Sequence, residues 1–277
     1  MKAKMIGKRY WMIPILLFTV CLIAMPVRTM AAENTTVASG TVSEKQTGWK
    51  TKKSCIYYYD AKGKKVTGLK KINGKYYYFD KKGIQRTGWQ KIKGNYYFFK
   101  IENGKKGYMV KSKKVNGITL KKDGKAKLTA SAKSKLNVMI KANKIVEKAT
   151  KPTMSKSQKL RKCFDYSTTK FKYRGSPTFH KTKHWELDYA LDMFDDGHGS
   201  CYAYGAAFAF LANAVGYQDV YVVSSGGHGW AEVKGKVYDP SWEITDKRHS
   251  YYGVDYKLSG VDGRPNYKKA RTYVVKL

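Results

Sequence analysis

The sequence predicts an α+β domain preceded by a β-hairpin solenoid of about 20-residue repeats. Three observations predict it. Gly48-Trp49, Gly68-Leu69 and Gly88-Trp89 recur at a spacing of twenty, and self-similarity at a short fixed period marks a solenoid. From Leu136 onward, apolar residues stand three and four apart, which is the helical period. Beyond Gly216 the period becomes that of strands, and helices followed by antiparallel strands describe an α+β domain.

The first 32 residues read as a secretory signal peptide. Lys2, Lys4, Lys8 and Arg9 form a basic start, an apolar run follows from Tyr10 to Pro26, and small residues stand at Ala31 and Ala32, where cleavage is expected. The rival reading is an uncleaved anchor, because the run is only slightly short of the roughly 20 residues a spanning helix needs. With cleavage, the chain has no permanent membrane anchor. Residues 33–46 are small, polar and without apolar periodicity, so they are expected to form a flexible linker.

Residues 47–127 form the repeat module. Between the Gly-Trp and Gly-Leu pairs stand Tyr57-Tyr58-Tyr59-Asp60, Tyr76-Tyr77-Tyr78-Phe79-Asp80 and Tyr96-Tyr97-Phe98-Phe99. Asn73-Gly74 and Lys93-Gly94 precede two of these runs, and turn residues flanking aromatic runs predict one hairpin per repeat. A degenerate fourth unit with Asn116-Gly117 and Asp123-Gly124 is expected to cap the series. The Gly-Trp pairs, the aromatic runs and the Asp-x-x-Gly turns resemble the cell-wall-binding or choline-binding repeats of Gram-positive surface proteins. Here the runs hold Tyr and Phe without Trp, and Leu69 replaces one Trp, so the pattern lies closer to the carbohydrate-binding repeats of glucan-binding proteins and clostridial toxins. The resemblance makes Trp49, Tyr58, Tyr77, Trp89 and Tyr97 candidate wall-ligand contacts. Each is equally readable as core in a thin hairpin array.

Charge points the same way. The chain carries a net +35, and residues 45–127 hold 25 Lys or Arg against four acidic residues, a net of +21. Such a surface attracts polyanions, which outside a cell are wall glycopolymers or peptidoglycan rather than nucleic acid. A solvated basic surface without a dedicated partner is the alternative.

Residues 128–277 make the second domain. Leu136–Thr150, Ser155–Lys170, Trp185–Phe194 and Tyr202–Val215 are the expected helices. Val220–Val223, His228–Val233, Lys236–Pro240 and Thr272–Val275 are the expected strands. Once the leader takes Cys21 away, Cys55, Cys163 and Cys201 remain, an odd number that points to no disulfide framework.

Cys201 follows Gly197, Gly199 and Ser200 at the start of a strongly apolar helix, where free backbone N–H groups and the helix dipole favour the thiolate. His228, in Gly226-Gly227-His228-Gly229-Trp230, lies on an expected strand and is able to take the thiol proton. A two-residue turn at Lys234-Gly235 would set Asp239 opposite Trp230, with its carboxylate on the His228 face, where it holds the ring in its working tautomer. Helix-start Cys, strand His and next-strand Asp, in that order, resemble the transglutaminase-like superfamily.

The resemblance implies a papain-like core, a catalytic Cys201–His228–Asp239 triad, and a thioester acyl-enzyme formed on an amide or peptide bond of a protein or peptide substrate. It also implies an oxyanion donor upstream of the cysteine; Tyr173 is the candidate and Trp185 the rival. His198 reads as loop. His180 and His184 are spaced like metal ligands but lack a third partner, so neither a metal nor another cofactor is expected. The expected function is a secreted, wall-associated cysteine enzyme. The alternative is a non-catalytic adhesin on a degenerate scaffold.

Overall fold

In a computed structural model of the chain, residues 46–102, 106–175 and 178–277 are described. The expected leader and the linker up to residue 45 lie outside them. Glu44–Leu277 form one compact unit.

The repeats fold as hairpins in one register. β1 (Gly48–Lys52) pairs with β2 (Cys55–Tyr59), β3 (Gly68–Ile72) with β4 (Lys75–Phe79), and β6 (Gly88–Ile92) with β7 (Asn95–Phe99). Gly48, Gly68 and Gly88 face Tyr59, Phe79 and Phe99, so the sequence spacing of twenty is a structural spacing too. The short β5 (Gln85–Arg86) adds to β4. Lys53-Ser54, Asn73-Gly74 and Lys93-Gly94 all have positive φ at both turn positions, the type I′ geometry that matches strand twist. Between hairpins, Asp60 Oδ1 accepts from the Lys62 and Lys64 N–H groups, and Asp80 Oδ1 from those of Lys82 and Ile84. This explains the Asp-x-x-Gly signature as a side-chain-locked turn. The fourth unit is a small hairpin, β8 (Lys114–Val115) and β9 (Ile118–Thr119).

Four helices follow: α1 (Ala130–Ala149), α2 (Lys156–Lys170), α3 (Trp185–Asp196) and α4 (Cys201–Val215). α1 begins six residues before the expected Leu136, because Thr129 caps it through the Ala132 N–H while its polar first turn shows no apolar period. Ser155 and Gln158 close a capping box on α2. Two residues each of β10 (Lys172–Tyr173) and β11 (His198–Gly199) pair in parallel just before α4.

The sheet is fully antiparallel. Its strands are β12 (Val220–Ser224), β13 (Gly229–Val233), β14 (Lys236–Tyr238), β15 (Tyr252–Val254) and β16 (Tyr273–Lys276), in the order β15-β14-β13-β12-β16. α4 is buried along nearly its whole length, between the sheet on one side and α1, α2 and α3 on the other. The expected strand Lys236–Pro240 stops at Tyr238. Asp239 instead caps a short helix α5 (Pro240–Thr245) with proline at its first position, a favourable start because that N–H has no helical partner.

The third and fourth repeat units share the core of the helices. Trp89, Ile118, Leu120 and Ala126 are buried in the same apolar cluster as Leu136, Met139 and Phe210. A polar seam closes the contact: Asn143 donates to the Thr87 carbonyl at 3.1 Å, Gln90 to Glu147 at 2.7 Å, and Asn116 to Asn213 at 3.0 Å. Gly88 has φ +73°, and a Cβ there would stand 2.3 Å from Asn143 Oδ1, so only glycine admits this approach.

Candidate active site

Cys201 is the first residue of α4, with Ser200 extended before it as cap. Two glycines bring this helix start to the sheet. A Cβ on Gly205 would stand 2.7 Å from the Trp230 backbone, and one on Gly229 would stand 2.7 Å from Tyr202 Cα. α4 and β13 therefore touch backbone to backbone, with Cys201 and His228 each one residue beyond the contact. The Cys201 and His228 side chains line the same cavity there.

His228 Nε2 donates to Asp239 Oδ2 at 2.6 Å, which leaves Nδ1 for the thiol. The register that makes this possible comes from the Lys234-Gly235 turn, both residues at positive φ. Ala231 pairs with Tyr238, so Trp230 and Asp239 are the next facing positions. Asp239 is fully buried and accepts from Ser241 Oγ at 2.7 Å, from the Trp242 N–H at 3.1 Å, and from the Tyr267 hydroxyl at 2.9 Å.

Burial disfavours charge on both partners, yet the pair keeps it. Burial raises the Asp239 carboxyl, but the His228 charge and the hydrogen bonds from His228, Ser241 and Trp242 hold it below the usual carboxylate range. Burial likewise lowers the His228 imidazole. The Asp239 charge and the hydrogen bonds to Asp239 and Cys201 outweigh it and push the ring up to about 10. Opposite charge winning over desolvation is what a well-bonded buried pair requires.

Tyr173 reaches the site through the β10–β11 pairing, where it faces Gly199 two residues before Cys201. Tyr173 is 49% exposed, its ring stacks on Tyr204 at 6.2 Å, and it lies beside Cys201 on the wall of one cavity. Tyr173, Cys201, Gly227, His228, Ser241, Trp242 and Thr245 line one open cavity of about 280 Å³. Trp185, the rival, is buried against Phe179 and Tyr189.

Comparison with known proteins gives the same two parts. Residues 141–247 match the family model of the transglutaminase-like superfamily, and residues 66–113 match that of the choline-binding repeat. The chain joins choline-binding repeats to a transglutaminase-like domain. No curated protein matches it. Among solved structures, it is similar to the choline binding domain of Spr1274 from Streptococcus pneumoniae, at 23% identity over 31% of this chain and 99% of that one, TM-score 0.28. Choline binding protein F from the same organism is 31% identical over 30% of this chain and 28% of its own, TM-score 0.27. The phage Cp-1 endolysin complexed with choline is 24% identical over 31% of this chain and 26% of its own, TM-score 0.26. This chain thus spans little more than a quarter of those last two proteins. Among the described residues, no helix is long and apolar enough to cross a membrane.

Along the repeats, the five candidate contacts have different surroundings. Trp49 and Tyr58 are half-buried, edge to face at 5.2 Å, with Lys106 Nζ 4.9 Å above the Trp49 ring. Tyr77 and Tyr97 are buried at 8% exposure and Trp89 at 4%. Trp89 corrects the sequence reading most sharply. Its ring packs into the core of the transglutaminase-like domain and its indole N–H donates to Asn116 at 3.1 Å, so it serves as core and little of it is open to a ligand.

In the transglutaminase-like domain, three histidines outside the site have local side-chain partners: His198 bonds the Asp196 carbonyl, His184 stands beside Glu186 at the start of α3, and His249 lies between Asp246 and Asp262; at His180 it is the backbone N–H that donates to the Tyr189 hydroxyl. Sequence reasoning missed Tyr267 and Ser241. Ser241 had a signal, since Asp-Pro-Ser is a helix start as well as a strand end. Tyr267 lies in a stretch with no period and had none.

Proposed function

We propose that the chain is a secreted, wall-associated cysteine enzyme that acts on amide or peptide bonds through a thioester, with a papain-like core and a solenoid of wall-binding repeats. Residues 47–127 attach it to a wall glycopolymer or peptidoglycan, and residues 128–277 carry out the chemistry on a protein or peptide. The observation that carries this reading is the single cavity shared by Cys201, His228 and Tyr173, backed by a buried Asp239 with four donors on its two oxygens.

The chemistry follows from that arrangement. With the Cys201 proton held on His228 Nδ1 in a thiolate–imidazolium pair, the thiolate attacks the carbonyl carbon of the substrate amide. The developing oxyanion meets the Cys201 backbone N–H at the start of α4 and the Tyr173 hydroxyl. The C–N bond breaks as the imidazolium protonates the departing nitrogen, leaving the acyl group on sulfur. An amine or a water molecule then attacks the thioester as His228 accepts its proton, sulfur departs as thiolate, and the thiolate–imidazolium pair is restored. Asp239 holds the ring and balances its charge throughout, without itself taking the proton.

The test is mass spectrometry of wall digests incubated with wild-type protein and with Cys201→Ala. Products formed by the wild type alone support the reading. Identical product sets from both proteins overturn it.

A further inference from the structure

We propose that the cleft between the second hairpin and residues 108–113 is a binding site for an anionic glycan chain, read through Lys75, Lys100, Lys111 and Lys113 over Tyr76 and Tyr108. This rests on the proposed attachment of the repeats to a wall polymer and names its site and ligand chemistry.

The cleft is preformed. The Met109 N–H donates to the Tyr76 carbonyl at 2.8 Å, and the Lys100 N–H to the Tyr108 carbonyl at 2.9 Å, so its two walls are tied by backbone bonds. It encloses about 520 Å³, within the range of ordinary ligand sites. Four lysines line it. Of these four, only Lys100 has an ion pair among the described residues, with Glu102 at 2.5 Å. An anion entering the cleft therefore meets ammonium groups whose charge is not already neutralised.

The aromatic faces decide the sign of the ligand. Lys111 Nζ stands 4.7 Å from the Tyr76 ring centre, and Lys75 and Lys100 stand 4.5 and 5.7 Å from that of Tyr108. An electron-rich ring face attracts a cation, and here that position is filled by a cation tethered to the same chain. Lys106 over Trp49 at 4.9 Å and Lys65 over Tyr57 at 4.4 Å repeat the arrangement. A free quaternary ammonium such as choline would have to displace a tethered lysine from its ring and enter a cleft of like charge. A phosphate or carboxylate does neither. The rings hold the ammonium groups in place while leaving them able to donate, and the polyol between successive anions lies against the ring edges.

The experiment uses the mature chain in titration calorimetry at 0.1 M salt, where the Debye length is about 10 Å. The probes are an oligomer of glycerol phosphate, an oligogalacturonate, dextran, a single-stranded DNA oligomer and choline. The cleft variant is Lys75→Ala with Lys111→Ala and Lys113→Ala. Its control removes equal charge elsewhere in the repeats, as Lys62→Ala with Lys81→Ala and Lys82→Ala, all three exposed. The expected result is binding of a charged glycan probe that weakens about tenfold in the cleft variant, as three partly exposed ion contacts together provide, and changes little in the control. The glycerol phosphate and galacturonate arms tell a phosphate polymer from a carboxylate one. Equal losses in both variants overturn the cleft in favour of diffuse charge; displacement by choline, or tighter binding of DNA than of either glycan, overturns the ligand class. A wild-type chain that fails to sediment with purified walls overturns the attachment itself. If walls bind the wild type and the cleft variant alike, only the cleft is overturned.

Discussion

Trp89→Ala separates two views of the repeats, one in which they are a detachable ligand platform and one in which they are part of the core of the transglutaminase-like domain. The Trp89 side chain is only 4% exposed, lies edge to face with Phe98 at 5.3 Å, and shares a cluster with Met139 and Phe210. Removing a buried tryptophan costs about 3–5 kcal/mol in lost transfer energy and residual cavity. Its indole N–H also leaves Asn116 Oδ1 without a donor, in a chain of side-chain bonds that continues to Asn213; a lost buried bond adds about 1 kcal/mol. For a unit of this length, each kcal/mol moves Tm by about 2–4 °C, so the midpoint should fall by about 10 °C or more. Scanning calorimetry of residues 33–277, with urea melts followed at the aromatic and the far-ultraviolet bands, measures it. An exposed platform residue would change stability by no more than about 0.5 kcal/mol. A Tm within 2 °C of wild type, or two separate transitions in the wild-type chain, would refute the shared core.

Asp239→Asn should lower kcat/KM by about 10³- to 10⁴-fold, as loss of the carboxylate that orients a catalytic histidine does elsewhere, with the fold kept, as circular dichroism would show. Tyr267→Phe removes a buried donor to a charged acceptor, so activity should drop about tenfold and the base limb of the pH–stability curve should change shape; unchanged pH behaviour would reduce Tyr267 to packing. The raised His228 contributes stability that is complete below its unfolded value of 6.5 and is lost as pH rises through about 10, and the lowered Asp239 contributes stability present above its unfolded 3.8 and lost as pH falls through its folded value. Urea midpoints across that range should therefore show a plateau that Asp239→Asn flattens at both ends. Iodoacetamide near neutral pH should label Cys201 and spare Cys163, which is fully buried and whose thiol burial pushes up to about 12; peptide mapping that finds Cys163 modified first would contradict the nucleophile assignment.

What was legible in the sequence was legible wherever a local rule acts alone. Asn-Gly and Lys-Gly turns admit one hairpin geometry, and they set the register of every repeat hairpin but the first, which turns at Lys53-Ser54, as well as the β13–β14 register that puts Asp239 beside His228. The apolar period located α2, α3 and α4 to within two residues. Rules failed where two compete. Asp239-Pro240 ends a strand and opens a helix at once, and the strand period hid α5. Trp89 obeys the same repeat as Trp49, so no periodicity distinguishes the tryptophan that faces α1 and α4 from the one that does not.

The same limit applies to the glycines that build the site. Gly205 sits in the middle of a helix, where glycine costs about 1 kcal/mol against alanine, and Gly229 sits in a strand, where it leaves a gap in the row of side chains. Each alone reads as a weakness. In the folded chain they answer each other: Gly205 admits the Trp230 backbone and Gly229 admits the Tyr202 backbone, and a methyl group at either position would separate α4 from β13. The residues next to the contact are Cys201 and His228. A helix–strand approach that permits no side chain between them is thus what sets the thiol within reach of the imidazole, and two local losses of stability are the physical condition for the site.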